Sequence, residues 1–403
     1  MLYELLIKGG EMIDPKHGIH EIRDIAINQG KIAAIAKDIA LSEAKEVIDA
    51  KNKIVTPGLI DLHTHVAEAI MPIAVTPDEA GVYSGVTTAC DAGSTGYATF
   101  NGFKKLIIPY AQTDILVFLH LSPTGQAIYP EICWHDINQK RMLTLIQENK
   151  EIVKGIKIRA GAHLIKNYGI SIFKTAKKIT NEANIPLGVH IGLGFEDNLP
   201  KSILDDFNAE MLNLLDKGDI LFHTYTQRDG GVIKPDGSIL GELKDAMKRG
   251  VVIDVSPAQS HFSFKLAKIG LDQGVIPTTI STDITITNYR GPVLFSLPVV
   301  MSKFLALGLT LNQVIEKTTI NPAIVLNEEK NRGSLEVSRP ADISILELKE
   351  GNFLFSDGKA GNTLNGTQLI VPKLTIKKGL EIETKPRFRN FNPSDELTLT
   401  KGA

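Results

Sequence analysis

The chain has 403 residues, 43% hydrophobic and 22% charged, with 34 Gly and 19 Pro. This ordinary globular balance excludes a disordered, collagen-like or coiled-coil chain. A formal net charge of −2 gives no basis for a nucleic-acid or anionic-membrane partner, and two cysteines, Cys90 and Cys133, exclude a disulfide framework or a Cys-rich zinc module.

The N-terminus, Met1-Leu2-Tyr3-Glu4-Leu5, carries an acid early and no basic segment ahead of an apolar run, which predicts no signal peptide. Residues 3–8, 22–27 and 31–36 read as short strands, with Asn28-Gln29-Gly30 as a hairpin turn. From Thr56-Pro57-Gly58 the texture changes. Apolar runs at 59–63, 86–91, 115–120, 152–158, 187–191, 219–223, 251–255 and 279–281 alternate with helical stretches such as 77–83, 171–183, 240–249 and 293–307. The first helix opens on a capping box, Thr76-Pro77-Asp78-Glu79, with Pro at its first position. Eight such repeats predict an α/β fold, a (β/α)8 TIM barrel over residues 55–339. A doubly wound open sheet is the alternative, but no Gly-rich phosphate loop follows any strand. The most apolar stretch, 291–309, is interrupted by Pro298 and Lys303 and predicts a buried helix rather than a membrane span. The chain is therefore expected to be soluble and cytoplasmic.

After Arg339-Pro340 the texture reverts to strands at 341–346, 368–371, 374–377 and 380–383. Residues 1–54 and 340–385 are expected to form one small β-sandwich domain built from both termini. Residues 386–403 are polar and aperiodic and read as a tail.

The histidines carry the main signal. His63 ends the first barrel strand and His65 follows two residues later, on the same side of an extended chain. His190 closes the fifth strand, His223 the sixth, and Asp283 follows the eighth. One strand-end histidine is more often structural. In a barrel, however, these ends converge on the face where active sites sit. Four imidazoles and one carboxylate there describe a transition-metal site. Five ligands hold two metals only with a bridging anion. Lys157, at the end of the fourth strand, supplies one if its amine adds carbon dioxide to become a carbamate. Lys154 competes, but three residues earlier it lies on the opposite face of the strand.

The run Val55-Thr56-Pro57-Gly58-Leu59-Ile60-Asp61-Leu62-His63-Thr64-His65 resembles the opening of the amidohydrolase superfamily, and His190, His223 and Asp283 follow in its order. Asn321-Pro322-Ala323, Gly333-Ser334-Leu335 and Arg339-Pro340-Ala341-Asp342-Ile343 resemble the end of its barrel, so the likeness spans residues 3–380. Within the superfamily the chain is most similar to the dihydroorotase-like amidohydrolase/deacetylase metallohydrolases. Gly155-Ile156-Lys157-Ile158-Arg159, Gly291-Pro292-Val293, Leu297-Pro298 and Met301-Ser302-Lys303-Phe304-Leu305 carry that likeness. The resemblance implies a binuclear zinc hydrolase. His63, His65 and Asp283 would hold one divalent ion, His190 and His223 the other, and carbamylated Lys157 would bridge them. A metal-bridging hydroxide would attack an amide, cyclic amide or acyl ester carbonyl, with Asp283 moving the proton. The expected partners are a small, carboxylate-bearing substrate and further copies of the chain in a homo-oligomer.

Departures narrow the substrate. Dihydroorotases carry an Arg two residues after the second His of the pair; here that position is Ala67, followed by Glu68. Arg159, two residues past Lys157, is the remaining candidate for a substrate carboxylate, and His261 is expected to line the pocket. Many deaminases of the superfamily carry an acid shortly after the fifth-strand His, where this chain has Ile191-Gly192-Leu193-Gly194. An adenine deaminase-like aminohydrolase is thus the alternative. An inactive dihydropyrimidinase-like scaffold ranks below it, because all six ligands are present. His120 and His163 read as structural, His17, His20 and His135 as loop residues, and Gly93 and Thr95 as rim.

Overall fold

The computed structural model describes residues 2–128, 136–194, 198–289, 294, 296–358 and 362–388. His135, Cys133, Gly291-Pro292-Val293 and most of the expected tail (389–403) lie outside them.

Both chain ends build one sheet. Tyr3–Asp14 pairs antiparallel with Ile19–Asn28 and parallel with Ala44–Asp49 and Ile54–Pro57. Ile343–Ser356 then joins the other side of Ile54–Pro57 and pairs with Thr363–Lys377. The expected sandwich is thus one continuous hydrogen-bonded sheet of eight strands. Leu5, Ile7, Ile25, Val55, Ile343 and Ile376, drawn from both ends, share one buried cluster. The C-terminal strands are longer than their apolar runs suggest. A register shift between Glu350 and Phe353 takes up Gly351-Asn352, and pairing resumes.

Ile54–Pro57 leads through Gly58 directly into Leu59–Thr64. A side chain at Gly58 would run into Thr87, so the close approach requires glycine. Leu59–Thr64 is the first of seven parallel strands. Val86–Gly96, Asp114–His120, Val153–Arg159, Leu187–His190, Ile220–Phe222 and Val252–Ile253 follow, each paired with the one before. Their residues alternate between faces, as strand geometry dictates. Ile60, Leu62, Cys90, Phe118, Ile220 and Phe222 meet in one cluster. Leu59, Val117 and Leu221 face the helices in another.

Two expectations need correction. Residues 279–281 form no strand; the segment makes only single parallel bridges, Thr279 with Asp254 and Ile284 with Thr64. Its polar side chains are directed at buried carboxylates instead: Thr279 and Ser281 hydroxyls donate to Asp254, and the Thr282 hydroxyl to Asp61. The helix expected over 77–83 is Pro77–Ala80 followed by a 3-10 turn, Val82–Ser84. Thr76 makes no cap to the backbone; its hydroxyl donates to Glu79 Oε2 at 3.0 Å. Ser171–Ala183 forms as expected, while Gly241–Arg249 and Leu297–Ala306 fall inside their predicted spans. No helix of the described residues is long and apolar enough to cross a membrane.

Candidate metal centre

The C-terminal ends of the parallel strands bring the candidate residues together. His63, His65 and Asp283 are all buried and offer ligand atoms within 4.8 Å of one another. Asp283 Oδ1 lies 3.0 Å from His65 Nε2 and 3.3 Å from His63 Nε2. Asp283 Oδ2 is 3.7 Å from His223 Nε2. Lys157 is 1% exposed, with its Nζ 3.1 Å from His63 Nε2 and 3.7 Å from the centre of the Phe222 ring. His190 stands edge-on to His223 at 4.2 Å between ring centres, and His261 packs against both, at 4.7 and 4.5 Å.

Each Nδ1 of three of these imidazoles is occupied from behind. His63 Nδ1 meets Ser256 Oγ at 3.0 Å, His65 Nδ1 meets Ser94 Oγ at 2.8 Å, and His223 Nδ1 meets the Ser256 carbonyl at 2.6 Å. Their Nε2 atoms therefore face the centre. His223 Nε2 is buried there without a hydrogen bond among the described residues. A buried nitrogen left without a partner is costly unless something else binds it. With one carboxylate and neighbouring imidazoles beside it, the donor set fits a divalent transition metal.

Burial sets the charges. It pushes the pKa values of His63, His190 and His223 well below the usual imidazole value, and His261 down to about 3. It lowers the Lys157 amine to about 7, so a neutral nitrogen is accessible near neutral pH. Burial would raise Asp283, but the facing His63 and His65 hold its carboxyl well below the ordinary value.

The cavity above these groups has a volume of about 150 Å³. Arg159 and Gln126 line one side, where Arg159 donates to Gln126 Oε1 at 3.3 Å. Met71 and Ile73 add apolar surface, and His261 lines the wall. Ala67 is buried in the core and Glu68 is exposed.

The remaining candidates stand apart. Lys154 forms a 2.6 Å ion pair with Glu328. His120 is buried and accepts from Ser122 N, His163 is exposed beside Asn167, and His17 and His20 pair with Asp14 and Glu11. Gly93 and Thr95 are buried, and a side chain at Gly93 would meet Lys157.

Sequence reasoning missed the groups behind the imidazoles: Ser94, Ser256, Asp254 and Asp61. Asp61 accepts from the backbone N of His63 and of Thr282 and from the Thr282 hydroxyl. Only Asp61 had a signal, its place within the quoted opening motif. His223, Ser256 and Asp283 adopt φ of +64°, +36° and +54°, a region that few non-glycine residues enter, although Asp and His do so more readily than most.

Residues 54–381 match the model of the amidohydrolase family. A deacetylase of Agrobacterium fabrum is 32% identical over 359 residues, covering 88% of this chain and 85% of that protein. Among solved structures, a dihydroorotase superposes with a TM-score of 0.86 at 28% identity, covering 96% of this chain and 99% of the other. An adenine deaminase superposes with a TM-score of 0.85 at 31% identity, covering 95% of this chain and 100% of the other. With most of its length inside the family match, the chain belongs to the amidohydrolase family.

Proposed function

We propose that this protein is a binuclear zinc hydrolase that removes an acyl group, acetyl in the first instance, from a small carboxylate-bearing substrate. The observation that carries the reading is the buried meeting of His63, His65 and Asp283 with the Lys157 amine 3.1 Å from His63. His63, His65 and Asp283 would hold one ion, His190 and His223 the other. The parallel sheet is read as a closed barrel whose eighth position is taken by 279–284, within domain limits of 55 and 339. The protein is read as a cytoplasmic homo-oligomer.

Lys157 is suited to become the bridge. Its amine, neutral at a pKa of about 7, can attack the carbon of carbon dioxide and lose a proton to leave a carbamate anion. Bound ions would supply an acidified water and polarise the substrate carbonyl. Asp283, its carboxyl held well below the ordinary value, accepts the proton released on attack and delivers it to the leaving nitrogen or oxygen. Arg159, braced by Gln126, binds the substrate carboxylate through charge-assisted hydrogen bonds. Met71 and Ile73 exclude water from the substrate's apolar part.

Deacylation is favoured over deamination because Ile191-Gly192-Leu193-Gly194, which carry no acid, directly follow His190; Gly192 there packs towards His261. The test is metal analysis together with a product screen over N-acyl amino acids, acyl hydroxy-acids, cyclic ureides and adenine. Two zinc ions per chain with carboxylic acid released from acyl substrates is the expected result. Full hydrolytic activity in metal-free protein refutes the reading, and ammonia release from adenine alone replaces it with the aminohydrolase.

A further inference from the structure

Ser256 follows the seventh parallel strand and reaches two imidazoles at once. Its Oγ lies 3.0 Å from His63 Nδ1, and its carbonyl oxygen 2.6 Å from His223 Nδ1. The two contacts come from one residue whose backbone turns at a φ of +36°. The hydroxyl is itself directed, because it donates to Asp254 Oδ1. Asp254 is fully buried and also accepts the hydroxyls of Ser281 and Thr279, each at 2.6 Å.

These bonds fix proton positions. A carbonyl oxygen only accepts, so His223 Nδ1 carries a proton. Ser256 has a single hydroxyl proton and gives it to Asp254. At His63 its Oγ therefore accepts, and His63 Nδ1 carries a proton as well. A neutral imidazole has one N–H, so Nε2 of both rings keeps its lone pair. Those two atoms face Asp283 at 3.3 and 3.7 Å. An imidazole binds a metal through such a lone pair, and the hydrogen bond at its other nitrogen decides which atom has it.

We propose that Ser256 and Asp254 are positioning residues for both halves of the metal centre: Asp254 orients the Ser256 hydroxyl, and Ser256 holds His63 and His223 as Nδ1–H tautomers with the Nε2 lone pairs directed at the centre. The inference rests on the metal reading above. Without the Asp254 acceptor, the Ser256 hydroxyl is free to donate to His63 Nδ1, which places the ring proton on Nε2 and removes the ligand. His65 is held separately, by Ser94, whose backbone N donates to Asp91.

The test uses full-length protein stripped by a chelator and retitrated with zinc against a chromophoric competitor. Ser256→Gly removes the hydroxyl, keeps the carbonyl and suits a positive φ; Asp254→Asn removes the charged acceptor. Each should weaken zinc binding about 10- to 100-fold, the usual effect of losing a group behind a ligand. In parallel, NMR of the metal-free protein with 15N-labelled histidine reads the tautomers directly. Wild type should show Nδ1–H at His63 and His223. Ser256→Gly should release His63 alone. An Nε2–H tautomer at either ring in wild type, or wild-type zinc affinity in Ser256→Gly, overturns the proposal, and the Gly variant decides it even if Asp254→Asn fails to fold. Wild-type protein that binds no zinc refutes the metal reading instead, while the tautomer spectra still decide the positioning claim.

Discussion

Gly93 offers a direct perturbation of Lys157. It lies in the strand Val86–Gly96 with a φ of +94°. A Cβ there would come 2.9 Å from Lys157 Cγ, 3.0 Å from Lys157 Cβ and 3.1 Å from His120 Cδ2. Relaxed carbon contacts are roughly 3.5–4.0 Å, and Lys157 and His120 are both buried, with little room to retreat. Gly93→Ala thus carries two costs. The left-handed backbone costs about 1–2 kcal/mol. Overpacking costs about 1–3 kcal/mol more. Gly237→Ala separates the two, because Gly237 has the same φ of +94° and nothing within 4 Å of the added carbon. Urea unfolding midpoints and zinc content of both variants make the assay. Gly93→Ala should lose about 1–3 kcal/mol beyond the Gly237 control, and it alone should lose zinc as Lys157 is displaced. Equal destabilisation of the two, or full zinc content in Gly93→Ala, would refute the idea that Gly93 makes room for Lys157 as the proposed bridge.

Lys157→Ala should lose zinc and activity, with partial recovery of both in a short carboxylic acid, whereas Lys154→Ala, which only breaks the ion pair with Glu328, should keep both. Asp283→Asn should lower kcat by about 10²–10⁴ with little change in KM, and Arg159→Met should raise KM for acidic substrates while sparing neutral ones; equal losses on both substrate types would make Arg159 structural. Asp114 gives a pH prediction: burial pushes its carboxyl up, but Lys377, Arg332 and Lys378 outweigh this and hold it at about 2. Since the folded value lies below the unfolded one, its contribution of about 2 kcal/mol is present above about pH 4 and is lost as the pH falls towards 2, so urea midpoints of Asp114→Asn should fall less steeply than wild type across that window.

Much of the fold is legible because its signals are local. The apolar runs at 59–63, 86–91 and 115–120 become strands within a few residues of their predicted ends. The pairing of Ile54–Pro57 with Glu11-Met12 on one side and with Ile343–Leu346 on the other is not local. It could be inferred only from the matching texture of the two ends. The segment 279–281 misleads for a different reason. Its β-branched residues favour a strand, but their hydroxyls have stronger uses in Asp254 and Asp61 than a regular ladder offers.

The ligands are legible for the same geometric reason that brings them together. Strand-end residues of parallel strands converge at one edge, and His63 and His65 share a side. The groups behind them are not legible, because nothing in Asp-Val-Ser at 254–256 distinguishes it from a buried strand end. Their necessity appears only with the backbone. Asp283, His223 and Ser256 are all left-handed, a conformation that costs about 1–3 kcal/mol per residue and persists only where its surroundings enforce it. At Asp283 and Ser256, two buried carboxylates provide that enforcement. Asp61 takes the Thr282 amide and hydroxyl immediately before Asp283, and Asp254 takes the hydroxyl of Ser256 itself. Each of these carboxylates accepts three hydrogen bonds, and at about 1 kcal/mol per bond that is the scale needed to hold a strained residue in place. The polar interior under the strand ends therefore serves the candidate ligands by fixing the backbone that carries them, and the proposed positioning role adds the choice of the nitrogen they would present.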